Sequence, residues 1–143
     1  MRPPIRVFLP LLLLVPLVAG CARTVRESTY APSFTYQERD EVRSTMWQLA
    51  GGVRQLNEAL RSDERAPEER QAEVVRLLDE IQLAAGRLKG AETSNHPLLE
   101  EHLDDFLTDV RNARQAAAGD PPSYFFAGNV TGACMYCHGS HIR

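Results

Sequence analysis

Apolar residues recur at helical spacing through most of the chain beyond residue 35. The first predicted helix opens at Thr35, which has the spacing of a capping box with Glu38. Steps of four and three separate its apolar positions, as on one helix face. These positions are Val42, Met46, Leu49, Val53, Leu56 and Leu60. A second helix is predicted from Pro67 to Gly90, with the apolar face Val74, Leu78, Ile81, Ala85 and Leu88.

Two further helices are predicted in the C-terminal half. The third is capped by Asn95, with Pro97 in its first turn, and its apolar face is Leu99, Leu103, Phe106, Val110 and Ala113. The fourth is capped by Asp120 and places Phe126, Val130, Cys134, Cys137 and His141 along one face. No segment shows the alternation of a β-strand. Four helices with short connections predict an all-α fold, an antiparallel up-down four-helix bundle.

The first 20 residues have a different pattern. Arg2 and Arg6 precede an apolar stretch over residues 7–18, which ends in Ala19 and Gly20. This is typical of a secretory signal and is too short to span a bilayer comfortably. Residues 22–34 lack sustained periodicity. We therefore predict a lipoprotein signal peptide over residues 1–20, a tether over 21–34 and a four-helix-bundle domain over 35–143.

The signal segment ends in Val18-Ala19-Gly20-Cys21, which resembles a bacterial lipobox. That resemblance implies that Cys21 is lipidated and becomes the mature N-terminus. Its acyl chains would anchor the protein to the periplasmic side of a bacterial membrane, and Ala22 favours the outer over the inner membrane. The other interpretation is an ordinary signal peptide, with Cys21 a leftover thiol.

The net charge of the chain indicates little about its function. Residues 1–20 contain Arg2 and Arg6 and no acidic residue, so their removal takes the net charge from −3 to −5. No basic cluster is present, and we therefore expect no nucleic-acid partner. An acidic surface suits a basic redox partner, and it is equally an ordinary soluble surface.

The chemistry of the chain is concentrated near its C-terminus. Cys134-Met135-Tyr136-Cys137-His138 has the spacing C-x-x-C-H, the attachment signature of c-type haem. Each thiol can form a thioether with a haem vinyl group, and His138 can bind the iron as proximal ligand. A thiol redox site would need a βαβ context. A structural zinc site would need four ligands.

With this motif in a last helix, the chain resembles the class II c-type cytochromes, the cytochrome c-prime family and its low-spin relatives. The resemblance covers residues 35–143 and implies a four-helix bundle with one covalent haem c near one end. In that family a residue of the first helix points at the distal face of the iron, and Met46 lies where that residue should be. The sequence Gly139-Ser140-His141-Ile142-Arg143 departs from the family, which places an aromatic and then a basic residue after the motif.

Two alternatives remain open for Met46. As a distal iron ligand it would raise the reduction potential and suit an electron carrier. As plain core packing, it would leave a five-coordinate iron that binds or senses nitric oxide or carbon monoxide. Arg43 is a candidate propionate contact or simply an exposed arginine.

The predicted function is periplasmic one-electron transfer by a membrane-anchored mono-haem cytochrome. Its partners would be the redox proteins of an extracytoplasmic electron-transfer chain and the membrane in which the lipid on Cys21 is anchored. The resemblance also allows a homodimer through the first two helices. We do not expect an enzyme, because the distal half of the first helix offers no acid–base pair.

Overall fold

The computed structural model describes residues 33–62, 64–90 and 93–139, together with residues 29 and 31. The chain divides into two compact units, Met1–Phe34 and Thr35–Arg143. The predicted signal peptide, Cys21 and His141 lie outside the described residues, as does most of the predicted tether. Within the part of the chain that is described, no helix is both long enough and apolar enough to cross a membrane.

The described residues confirm an all-α protein. From residue 33 onward, the described residues form four helices, one further helical turn and two strands of two residues each: α1 Arg39–Arg61, α2 Pro67–Gly86, α3 Pro97–Ala117, α4 Phe125–Ala133, α5 Met135–His138, β1 Phe34–Thr35 and β2 Thr93–Ser94. The two strands pair in a small sheet. Helices α1 and α2 pack together, as do α2 and α3, α3 and α4, and α1 and α4. The turn α5 packs against α3.

The predicted apolar faces form the hydrophobic core. All five predicted positions of α2 and its C-terminal extension are buried, from Val74 to Leu88. On α3, four of the five predicted positions are buried, and Phe106 packs at the edge of the cluster. On α1, Leu49 and Leu56 are buried and the other four positions are half-buried against the core. Burying a leucine contributes about 1.5–3 kcal/mol, so these faces hold the helices together.

The predicted start of the first helix is wrong. Helix α1 begins at Arg39, and Glu38 is its N-cap residue without a side-chain capping bond. Thr35 lies in β1 instead. Its side chain rests on Gly90, where an added Cβ would come within 3.0 Å of the Thr35 Cβ. A β-branched residue packed in this way favours extended backbone over a helix start.

Asn95 does not cap α3 as predicted. The N-cap residue is His96, again without a side-chain capping bond. The Asn95 side chain binds Gln37 twice: its Oδ1 accepts from the Gln37 backbone N–H at 2.8 Å and its Nδ2 donates to the Gln37 carbonyl at 3.0 Å. Gln37 Nε2 also donates to the Leu88 carbonyl at 2.5 Å. These bonds join the segment before α1 to the end of α2 and to the start of α3.

The fourth predicted helix begins too early, and only part of its predicted face is buried. Helix α4 starts at Phe125 and not beside Asp120, because the backbone of Ser123 donates to the Ala116 carbonyl at 2.9 Å and holds the preceding segment as a loop. The buried face is Ala127, Val130 and Ala133. Val130 belongs to the predicted face and is buried, whereas Phe126 of the same predicted face is 47% exposed. Small side chains let α4 approach its neighbours closely, and the bulky ring lies outside.

Candidate haem-attachment site

The C-x-x-C-H motif lies where α4 gives way to α5. Cys134 has right-handed helical dihedrals, φ −57° and ψ −24°, between the two elements. The His138 backbone N–H donates to the Cys134 carbonyl at 3.1 Å, which is the i to i−4 bond of an α-helix. The helical path therefore continues through the motif. Cys134 and His138 are one turn apart on that path, as the spacing predicts, with Cys137 adjacent to His138.

The two motif cysteines have different surroundings. Neither cysteine forms a disulfide; Cys134 is exposed and Cys137 is half-buried. The Sγ atom of Cys137 lies 3.6 Å from the carbonyl oxygen of Leu98, in the first turn of α3. Burial raises the pKa of the Cys137 thiol above its usual value, with smaller contributions from the nearby Cys134 and Glu101. Cys137 therefore contacts the start of α3 and carries less thiolate at neutral pH.

This difference gives a testable order of reactivity in the chain expressed without haem maturation. Iodoacetamide should alkylate the exposed Cys134 roughly threefold or more faster than Cys137, because the thiolate is the reactive species. Fragment mass spectrometry of the peptide that contains both cysteines measures the two rates. In denaturant the two rates should converge, and equal rates in the folded chain would contradict the burial of Cys137.

A groove flanks the motif on the α3 side. It encloses about 480 Å³ and is lined by His102, Asp105, Thr108, Asp109 and Tyr136. The Tyr136 hydroxyl donates to Asp109 Oδ2 at 2.9 Å. That hydrogen bond and the carboxylate charge raise the pKa of Tyr136, so its hydroxyl stays protonated and the contact persists through neutral pH. Tyr136 therefore ties the motif to α3 at a second point.

The other predicted site residues lie on α1. Met46 is half-buried and packs against the hydrophobic core, whereas Arg43 is exposed. Helix α1 packs against α4, which leads into the motif. The neighbouring Trp47 is 71% exposed. The structure thus places Cys134, Cys137 and His138 on one helical path and Met46 against the core, on a helix that packs against α4.

The sequence did not predict two buried polar atoms, one before α1 and one at the start of α3. His96 Nε2 and Gln37 Oε1 are both shielded from solvent and have no hydrogen-bond partner among the described residues. No local pattern could have found them, because their burial depends on packing between segments distant in the chain. Unsatisfied buried polar atoms are rare in folded proteins and indicate a missing partner.

These residues fit a covalent haem. The described part of the chain has no cluster of three or more histidine, cysteine or acidic residues that could hold a bare metal ion. A haem needs no such cluster, because the porphyrin supplies four nitrogen ligands and the protein supplies only axial ones. Two cysteines that form no disulfide and an exposed imidazole lie on one helical path and would be the residues that hold that group. Comparison with family models, curated proteins and solved structures finds no match for this chain.

Proposed function

We propose that this chain is a membrane-anchored, mono-haem c-type cytochrome that transfers single electrons on the periplasmic side of a bacterial membrane. The observation that supports the proposal is the helical path that carries two cysteines, neither of them in a disulfide, and the exposed His138. When bound, haem supplies a one-electron ferric–ferrous couple. Cys134 and Cys137 would hold it by thioethers, and His138 would bind its iron.

The attachment chemistry balances with the residues at hand. Each thiol adds across one vinyl double bond, with sulfur bonding one carbon and the proton reaching the other, so no oxidant is consumed. Cys134 is exposed and can react without rearrangement, whereas Cys137 has to turn its Sγ from the Leu98 carbonyl. A weak thiol contact of this kind costs little to lose.

The bundle arrangement belongs to the same proposal. Its support is that each of α1 to α4 packs against two of the other three in a closed order, α1–α2–α3–α4–α1. An antiparallel up-down bundle has this neighbour order. In such a bundle the end of α4 lies beside the start of α1 and the start of α3, and the haem would occupy that end.

The remaining parts of the proposal concern partners. Lipidated Cys21 would anchor the chain, preferably in the outer membrane, and a basic redox protein would dock near the motif. Four exposed acidic residues of α3 follow Leu98, which contacts Cys137: Glu100, Glu101, Asp104 and Asp105. Opposite charge speeds encounter between redox partners.

A homodimer would use the outer faces of α1 and α2. Trp47 and Leu83 are 71% and 72% exposed there. A groove of about 690 Å³ between the two helices includes Gly51, Gly52 and Leu83 in its lining. Large apolar side chains beside such a groove are typical of a surface that another protein covers.

The second candidate function is binding or sensing of nitric oxide or carbon monoxide at a five-coordinate iron. The observation that favours it is the packing of Met46 against the core cluster, which a methionine does without any metal. Both candidates share Cys134, Cys137 and His138.

The proposal is tested on full-length protein purified from a host with c-type haem maturation. We expect a coloured protein whose peptide over residues 134–138 carries the mass of one haem. A reduced spectrum that carbon monoxide leaves unchanged supports electron transfer, and an immediate shift supports the gas-binding candidate. Colourless protein with both motif thiols free would refute both.

A further inference from the structure

The turn α5, which carries most of the C-x-x-C-H motif, has few contacts that fix its position. It has four residues and none of them is buried, so apolar burial contributes little to holding it in place. The helix that it packs against is α3. Across that contact the Tyr136 hydroxyl donates to Asp109 Oδ2 at 2.9 Å. This hydrogen bond therefore carries a large share of the attraction between α5 and α3.

Two polar contacts between α5 and α3 lie far apart along α3. Cys137 Sγ lies 3.6 Å from the Leu98 carbonyl oxygen, in the first turn of α3, and Tyr136 binds Asp109 further along the helix. At 1.5 Å per residue, Leu98 and Asp109 are about 16 Å apart along the helix axis. A turn held at one point can pivot about it, whereas two separated contacts also fix its direction. Asp109 therefore helps to set how the motif lies along α3.

The two contacts differ in strength and in what haem attachment would do to them. The thiol contact is weak, and a thioether at Cys137 removes the sulfur proton on which that contact depends. The Tyr136 hydrogen bond involves neither sulfur, and its carboxylate acceptor makes it stronger than a bond between neutral groups. Of the two contacts, it is the one that attachment leaves intact. Asp109 can therefore hold α5 both before and after the haem is bound.

We propose that Asp109 is a positioning residue for the attachment motif: it accepts the Tyr136 hydrogen bond and thereby keeps α5 docked on α3, with Cys137 half-buried and the backbone of His138 in one position. The part that concerns iron ligation by His138 rests on the proposed function. The part that concerns Cys137 applies to the chain without haem. Asp109 acts through Tyr136 and so differs from the residues that would bind the haem themselves.

Asp105 provides a matched control on the same helix. It is exposed and lines the same groove as Asp109 and Tyr136. The hydroxyl hydrogen bond of Tyr136 goes to Asp109, so replacing Asp105 with alanine removes a carboxylate from the groove and keeps that bond. An effect of groove charge alone would therefore appear in the Asp105 and Asp109 variants alike, whereas an effect of the hydrogen bond would appear only in the Asp109 variant.

The first test uses the full-length chain expressed without haem maturation and the rate at which iodoacetamide alkylates Cys137 relative to Cys134. Asp109→Ala removes the acceptor and Tyr136→Phe removes the donor, so each should raise the relative rate at Cys137 roughly twofold or more. The double variant should show no larger change than either single one, because both remove the same bond. Asp109→Asn keeps a side-chain oxygen acceptor and should match the unmodified chain, as should Asp105→Ala.

The second test uses the matured full-length protein and the electron paramagnetic resonance lines of its ferric iron. These lines report the ligand field, which depends on how the axial imidazole is oriented. We expect one narrow set of lines in the unmodified protein, in Asp109→Asn and in Asp105→Ala. We expect broadened or doubled lines in Asp109→Ala and in Tyr136→Phe, because α5 can then pivot and present His138 in more than one orientation.

Unchanged alkylation of Cys137 in both Asp109→Ala and Tyr136→Phe overturns the inference. An Asp109→Asn chain that behaves like Asp109→Ala also overturns it, because charge and not the hydrogen bond would then be responsible. If Asp109→Ala loses helix content, Tyr136→Phe decides, since it removes one hydroxyl and leaves α3 unchanged. Narrow lines in every matured variant overturn the part that concerns His138. Unmodified protein without haem refutes the proposed function, and the alkylation of Cys137 then still decides whether Asp109 positions the turn.

Discussion

Replacing both Cys134 and Cys137 with alanine should abolish covalent haem attachment completely while leaving the helices in place. The thioethers need the two sulfurs, and no other described cysteine is available to replace them. Neither thiol belongs to the buried hydrophobic cluster that holds the helices together, so the loss of two sulfurs removes little packing. Denaturing gels stained for haem and the mass of the motif peptide measure attachment, and far-ultraviolet circular dichroism measures helix content.

Met135→Ala is the matched control for that experiment. Met135 lies between the two cysteines in the same turn and is 53% exposed. Its replacement leaves both thiols and His138 in place, so full attachment is expected. Haem that stays bound through denaturation in the double cysteine variant would contradict the assignment of the motif. Loss of haem in Met135→Ala would mean that the fold of the turn, and not its thiols, controls attachment.

Helix α2 shows what the sequence determines well. Its apolar positions follow one period from Val74 to Ala85, the period continues to Leu88 just beyond the helix, and every predicted position is buried. Pro67 is the first helical residue, as predicted. Where periodicity is long and the first turn is marked by proline, local pattern and tertiary packing agree.

The sequence predicts the helix ends poorly because residues distant in the chain bind or pack against the side chains that would otherwise cap a helix. Asn95 has the chemistry of a cap, yet it binds Gln37, 58 residues earlier. Thr35 has the spacing of a capping box, yet it packs on Gly90 in an extended segment. A capping bond is worth about 1 kcal/mol, so a pair of tertiary hydrogen bonds outweighs it. Local sequence contains no signal for such long-range partners.

The candidate site likewise has one part that the sequence predicts and one part that it does not predict. The spacing of Cys134, Cys137 and His138 predicts their shared helical path, because that depends only on local geometry. The half-burial of Cys137 and the buried Nε2 of His96 depend on how α3 begins beside α5. The choice of Ala127 over Phe126 as the buried face of α4 likewise depends on how closely the neighbouring helices approach.

Met46→Ala should convert a low-spin, carbon-monoxide-insensitive protein into a high-spin one that binds the gas at once. A thioether on the sixth position fills the coordination sphere, and alanine leaves it open. The effect on the spectrum should be complete, because no other described residue of α1 carries a sulfur or imidazole group. The reduction potential should fall at the same time, since the methionine favours ferrous iron.

The Leu60→Ala variant is the control that distinguishes iron ligation by Met46 from core packing by Met46. Leu60 is half-buried on α1 and packs against the same core cluster as Met46. Truncating a well-packed core side chain costs about 2–5 kcal/mol of unfolding free energy. Because Met46 and Leu60 are only half-buried, we expect the loss in each alanine variant, measured by chemical denaturation, to lie at or below the lower end of that range. If Met46 ligates the iron, only Met46→Ala changes the spectrum. If unmodified protein already binds carbon monoxide and Met46→Ala matches Leu60→Ala in stability alone, Met46 is a core residue. The gas-binding function then replaces electron transfer, because the iron would have had an open position from the start.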